Sequence, residues 1–255
     1  MRNMLAIADK ELRSYFASPM AYIVIGLFSL LFGWFFYMYL MVFVRQSEQM
    51  MAMGGGAAAN VNQSMIRGVL QNAAVVILFV MPMITMRTYS EEKRSGTIEL
   101  LLTSPVTDWQ IILGKFFGAI GLYVAMLFVT ALYMAILFVY GHPEWRPIAA
   151  GYLGLLLMGG CFISAGLFIS SLTKNQIVAG TITFAVFLML WVISWIGESS
   201  GPITREVVSY LSITEHFEDF ARGIVDTKHV IYYLSFITFG LFLTAKSVDS
   251  ERWRG

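Results

Sequence analysis

Met20-Ala-Tyr-Ile-Val-Ile-Gly-Leu-Phe-Ser-Leu-Leu-Phe-Gly-Trp-Phe-Phe-Tyr-Met-Tyr-Leu-Met-Val-Phe-Val44 runs without one ionisable acid or base. About 20 apolar residues in helical conformation cross the roughly 30 Å of a bilayer's hydrocarbon, and a soluble core has no use for so long an unbroken run. The stretch therefore reads as a membrane span. It is too long for the apolar part of a cleavable signal, and no small-x-small cleavage site follows it. Working outward, further spans are expected at about 69–86, 116–140, 148–172, 177–196 and 230–244. The last is short and must borrow from its flanks or tilt. Composition agrees: 58% of the 255 residues are hydrophobic and 13% charged, against roughly 45–50% and 25% in soluble domains. The fold class expected is an all-α membrane protein with six transmembrane helices, forming a single domain over 1–255.

Several function classes fall away on composition. A net charge of +1 leaves no footprint for nucleic acid, and the lone Cys161 lies inside an apolar run, so it supports neither a disulfide framework nor a metal cluster. None of the spans as drawn contains Asp, Glu, Lys, Arg or His. Carriers driven by protons commonly need such groups as an intramembrane relay, so ion-coupled transport is disfavoured, and an intramembrane enzyme needs a polar catalytic set; His142, His216 and His229 all fall in outer loops. Gly114-Lys115 is followed by Phe116 and lacks the spacing of a phosphate-cradling loop, so no cofactor is expected on this chain. Energy must arrive from outside the bilayer.

Orientation follows from Lys and Arg, which are retained on the cytoplasmic side. With the N-terminus inside, the inner segments carry Arg2, Lys10, Arg13, Arg87, Lys93, Arg94, Lys115, Lys174, Lys246, Arg252 and Arg254, and the outer loops only Arg45, Arg67, Arg146, Arg205, Arg222 and Lys228. Both termini are thus expected in the cytoplasm. Within the outer loops, 50–59 holds a Gly-Gly-Gly-Ala-Ala-Ala tract expected to be mobile. Residues 197–229 carry six of the 16 carboxylates, enough to attract cations or a basic partner. There Val207, Val208, Leu211, Phe217, Phe220, Ala221 and Ile224 alternate with acids, predicting short amphipathic helices.

Two inner segments carry helical amphipathicity. Ahead of the first span, Met4, Leu5, Ala8, Leu12, Tyr15 and Phe16 recur at helical spacing, with Arg2, Asp9, Lys10, Glu11 and Arg13 on the other side. The spacing predicts an interfacial helix over 1–18, resting on membrane lipid and ended by Ser18-Pro19. Between spans two and three, the loop 87–110 contains Glu91, Glu92, Arg94, Gly96, Thr97, Ile98, Glu99, Leu101, Leu102 and Pro105. Gly96 permits a break, Thr97 can cap a short helix with Ile98, Leu101 and Leu102 on one face, and Pro105 stops it. Thr107 and Gln110 have capping-box spacing and would start the third helix before the membrane. Such an apolar face on a cytosolic loop either dips into lipid headgroups or docks on a soluble partner, and spacing leaves both open. In the spans, Gly114-x-x-x-Gly118 allows close helix approach, Asn72 can bond across helices, and Pro82 should kink the second span.

Glu92-x-Arg94-x-Gly96-Thr97-x-Glu99-x-Leu101-Leu102-x-x-Pro105, set between spans two and three of a six-span chain, resembles the permease subunits of ABC-2 type transporters. That resemblance implies an elbow helix at the N-terminus, with Leu5, Lys10, Glu11, Leu12, Arg13 and Phe16 as a lever. It also implies a coupling helix in the inner loop that docks on an ABC ATPase subunit. ATP and magnesium would be bound by that partner, the permease would pair with itself or a homologue, and the complex would sit in a bacterial cytoplasmic membrane. The stretch Tyr210-Leu-Ser-Ile-Thr-Glu-His-Phe-Glu-Asp-Phe-Ala-Arg-Gly-Ile-Val-Asp226 and the tail Lys246 to Trp253 are similar to the branch associated with bacterial gliding motility. That branch keeps a second function open: a membrane scaffold of an envelope or motility assembly, with an auxiliary envelope protein, powered by the same type of ATPase.

Overall fold

The computed structural model describes residues 2–53, 61–98, 106–141, 143–198 and 210–252. Among them regular structure is entirely helical: α1 Arg2–Ala17, α2 Pro19–Ala52, α3 Arg67–Thr85 entered through a π-helical turn at Asn62–Ile66, α4 Ser90–Ser95, α5 Asp108–Tyr140, α6 Trp145–Ser171, α7 Gln176–Glu198, α8 Ile213–Ala221 and α9 Thr227–Arg252. Six stretches are long and apolar enough to cross a membrane, one in each expected region.

Local chemistry sets the boundaries. Ser18 Oγ accepts from the Met20 amide at 3.3 Å and Pro19 occupies the first turn, so α1 ends and α2 begins at a defined corner. Thr107 and Gln110 form the reciprocal capping box, at 3.4 and 3.3 Å, that starts α5. The short last apolar run lies within a 26-residue helix, which Thr227–His229 and Ala245–Arg252 continue at either end. α2 also outruns its apolar stretch. The residues Arg45–Ala52 are good helix formers, so Met50–Ala52 is helical rather than loop. The glycine-alanine tract beyond Met53 lies outside the described residues.

α3 and α6 form the centre, with 67% and 72% of their apolar windows buried, against 17% for α2 and α7 and 28% for α9. Small residues permit this. Gly166 of α6 faces Thr85 of α3, and Asn72 of α3 donates to Tyr39 Oη of α2 at 3.0 Å. The outward faces of α2, α7 and α9 carry exposed apolar side chains such as Leu30, Trp34, Met189 and Phe239, as expected of helices bathed in lipid. α3 continues through Pro82, whose carbonyl still accepts from the Met86 amide at 2.9 Å.

The two ends of the bundle differ. At the end where α3 and α6 begin, α8 packs inward through Ile213, Phe217 and Phe220; a Cβ on Gly154 of α6 would lie 2.5 Å from Phe220. The expected amphipathic helix is therefore present there, but the acids around it are already engaged. Glu218 pairs with Arg67 and Arg222, both at 2.6 Å, Asp219 with His229 at 2.7 Å, and Asp226 with Lys228 at 3.2 Å. Internal pairing thus takes up carboxylates that the sequence offered to a basic partner. Val207 and Val208 lie outside the described residues. At the opposite end, where α3 and α6 finish, α1 and α4 gather.

Candidate functional site

α1 lies along a glycine stripe on α5. A Cβ on Gly114 would meet Ile7 Cβ at 2.7 Å, one on Gly118 would meet Glu11 Cβ at 2.6 Å, and one on Gly121 would meet Leu12 at 3.2 Å. The Gly-x-x-x-Gly spacing thus seats the N-terminal helix rather than a neighbouring span. This changes the expected facing of α1. Glu11, expected on the solvent side, is buried with Tyr15, while Leu5, expected on the apolar face, is 61% exposed. The stripe toward the bundle is Met4, Ile7, Ala8, Glu11 and Tyr15, as 3.6-residue periodicity requires once α5 fixes the phase. Leu12 and Phe16 are partly buried at its edge, and Lys10 and Arg13 are exposed.

Glu11 is tolerated inside because Lys115 faces it. Lys115 is 1% exposed, and its ammonium donates to Glu11 Oε1 at 3.1 Å and to the Thr88 carbonyl at 2.9 Å and pairs with Glu92 Oε1 at 2.8 Å, over the Tyr89 ring at 5.0 Å. Lys10 reaches both carboxylates from the rim, at 3.3 Å each. Two cations and two anions make the cluster neutral, the condition under which buried charge persists. Burial pushes the Glu11 carboxyl up, yet Lys115 and Lys10 outweigh it and hold the group below the ordinary carboxylate range. Lys10 moves upward: burial lowers it, but Glu11 and Glu92 prevail. Burial raises the Tyr15 phenol to about 12, so it stays a neutral hydrogen-bond donor to the Ile84 carbonyl at 3.1 Å.

α4 and the residue that precedes it are tied to four helices. Glu92 reaches Lys10 of α1 and Lys115 of α5. The Tyr89 and Ser90 amides both donate to Ser170 Oγ of α6 at 3.1 Å. Lys93, 7% exposed, bonds the Ser171 carbonyl of α6 and the Glu251 carboxylate of α9. α4 ends at Gly96, whose φ of +74° is the left-handed conformation that glycine adopts without strain. Thr97 and Ile98 are helical again, and Ile98 is 9% exposed.

The sequence-predicted residues thus divide. Glu92 and Ile98 turn inward, whereas Glu91, Arg94, Gly96 and Thr97 are exposed and close together in the chain. Glu99, Leu101, Leu102 and Pro105 lie outside the described residues. A cavity of about 120 Å³ opens between α1 and α4, lined among others by Lys10, Tyr15, Arg87 and Glu91. Lys115, Lys93, Thr88, Ser170 and Glu251 were not singled out from sequence. The available signal was Lys115 itself: it stands seven residues inside the helix that the capping box starts, beside the glycine stripe, where a solvated lysine is out of place. These contacts tie α1, α4 and the ends of α5, α6 and α9 together.

Comparison with known proteins supplies the family. A family model described as "ABC-2 family transporter protein" matches residues 5–245. Similar proteins include a "Probable multidrug ABC transporter permease YbhR" from Escherichia coli K12 and its counterpart from Escherichia coli O157:H7, each 26% identical over 156 residues, 59% of this chain. The match spans 41% of the length of those relatives.

Proposed function

Since the chain belongs to the ABC-2 family of transporter proteins, we propose that it is the transmembrane permease subunit of an exporter, driven by a separate ABC ATPase that docks at the α4 end. The Lys and Arg bias supports placing that end, with both termini, in the cytoplasm. The observation that carries the reading is the Lys115 cluster: the loop root that would receive an ATPase is fastened by buried charge to α1 and α5, and by Lys93 and Ser170 to α6 and α9. A push on the exposed Glu91, Arg94 and Thr97, or on the segment 99–105, would be delivered to four long helices rather than dissipated in a loop.

In this proposal ATP and magnesium stay on the ATPase. Two permease copies, identical or homologous, pair around a path lined by spans one, two and five, and closure of the ATPases tilts the α1–α4 unit against the bundle. The Escherichia coli relatives are named as probable multidrug transporter permeases, which supports a transporting role. Membership of the gliding-motility-associated branch rests on the 210–226 stretch and the tail, and a scaffold role would go with that branch. Leu101→Asp or Glu99→Lys should release the cognate ABC ATPase in detergent pulldowns while membrane insertion is unchanged. Undiminished association of both variants refutes the docking assignment, and failure of the reconstituted pair to couple ATP hydrolysis to transport favours the scaffold.

A further inference from the structure

At the opposite end of the bundle, two histidines from different helices meet. His216 of α8 and His229 of α9 are each 6% exposed, with their Nδ1 atoms 2.6 Å apart. His216 Nε2 lies 3.0 Å from the Tyr210 carbonyl, and His229 Nε2 lies 2.7 Å from Asp219 Oδ2. The Tyr232 ring stacks on His216 at 3.8 Å.

The hydrogen-bond partners along this series fix its proton count. A carbonyl only accepts, so His216 Nε2 carries hydrogen; an ionised carboxylate only accepts, so His229 Nε2 does too. With both rings neutral, each Nδ1 would then present a lone pair to the other at hydrogen-bond distance. Neighbouring hydroxyls do not relieve this, because Tyr232 Oη donates to the Leu211 carbonyl and Tyr233 Oη to the Ile213 carbonyl, both at 2.9 Å. One proton beyond the two neutral rings satisfies every contact. Moving it along the chain onto Asp219 leaves the count unchanged.

The geometry points to a proton-binding site in which one excess proton, shared between His216 and His229 and balanced by Asp219, clasps α8 to α9. The positive charge sits on His229 beside the carboxylate, and His216 is the neutral acceptor. Consistent with that assignment, His216 is held below the ordinary histidine range, first by burial and further by His229 and Lys228, against the Tyr210 carbonyl and Asp219. Lys228 is turned to Asp226 at 3.2 Å, and Arg222 lies 3.9 Å from the other Asp219 oxygen, so neither interrupts the chain. α8 covers the beginnings of α3 and α6 through Phe217, Phe220 and the Arg67–Glu218 pair. Loss of the proton sets two lone pairs against each other and loosens that cover. Above the ordinary histidine range the clasped pair binds one proton more than the open one, so the clasp weakens as pH rises; below that range the open state charges both rings, and the lowered His216 loosens the clasp again in acid.

The test is hydrogen exchange of the intact protein in nanodiscs, following amides 213–221 with intrinsic rates corrected, from about pH 5 to pH 8, where histidine charge changes. Above the midpoint, protection should fall about tenfold per pH unit, the slope of one proton. His216→Asn should flatten the profile, since the Asn amide can accept from a charged His229 or turn and donate to a neutral one. Asp219→Asn should move the midpoint to lower pH by removing the counter-charge. A flat wild-type profile, or an unchanged slope in His216→Asn, overturns the proposal. So does loss of protection on adding EDTA, which would mean that a metal ion rather than a proton joins the rings.

Discussion

Lys115→Gln tests whether buried charge pairing holds α1 against the α4 end of the bundle. The change removes a 1%-exposed cation from between Glu11 and Glu92, whose carboxylate oxygens lie 3.1 and 2.8 Å from it, and leaves a buried surplus of negative charge. Breaking a buried ion pair on one side costs about 3–5 kcal/mol. Lys10, whose side chain is 62% exposed, still faces both carboxylates and offsets part of this, so the lower figure applies, roughly 3 kcal/mol. At about 1.4 kcal/mol per factor of ten, local opening of α1 should rise on the order of 100-fold. Hydrogen exchange of amides 4–15 at neutral pH reads that opening directly. Removing the matching acid as well, in Glu11→Gln/Lys115→Gln, restores charge balance and should recover most of the protection, because replacing a whole buried pair is far cheaper than orphaning half of it. If Lys115→Gln accelerates exchange less than about threefold, or the double variant exchanges as fast as the single one, charge pairing does not hold α1 in place.

Other consequences are simpler. Gly118→Leu should lift α1 off α5, because its first carbon would already lie 2.6 Å from Glu11 Cβ; overpacking of this kind costs about 1–3 kcal/mol or more, and hydrogen exchange of amides 4–15 should accelerate, unchanged exchange contradicting the close seat. The α1 contact should also fail in acid. Glu11 has its carboxyl lowered by Lys115 and Lys10, so its contribution is complete above the unfolded value of about 4.3 and is lost as pH falls through the lower folded one; α1 exchange unchanged down to about pH 3 would contradict this. Arg94→Glu should weaken ATPase recruitment in pulldowns yet leave thermal stability within about 0.5 kcal/mol, since Arg94 is exposed; a large loss of stability would place Arg94 in the clamp instead.

What the chain order alone determined is what depends on near neighbours. Six apolar runs, the Ser18-Pro19 corner, the Thr107 capping box and the Gly96 break are local events, decided by hydropathy over about 20 residues or by one side chain reaching a backbone amide within the same turn. Each is legible in the order of residues alone. Tertiary packing decided how those pieces are phased against one another. Glu11 reads as a surface residue because Asp9, Lys10 and Arg13 stand around it, yet α5 supplies Lys115 and a glycine groove 104 residues away, and that partnership rotates α1 so that Leu5 faces out. His216 and His229, which the sequence left in a loop, are likewise paired only because α8 folds onto α9. A buried charge or an extra proton is stable only beside its complement, and the spacing of residues along one chain segment does not say which distant segment brings it.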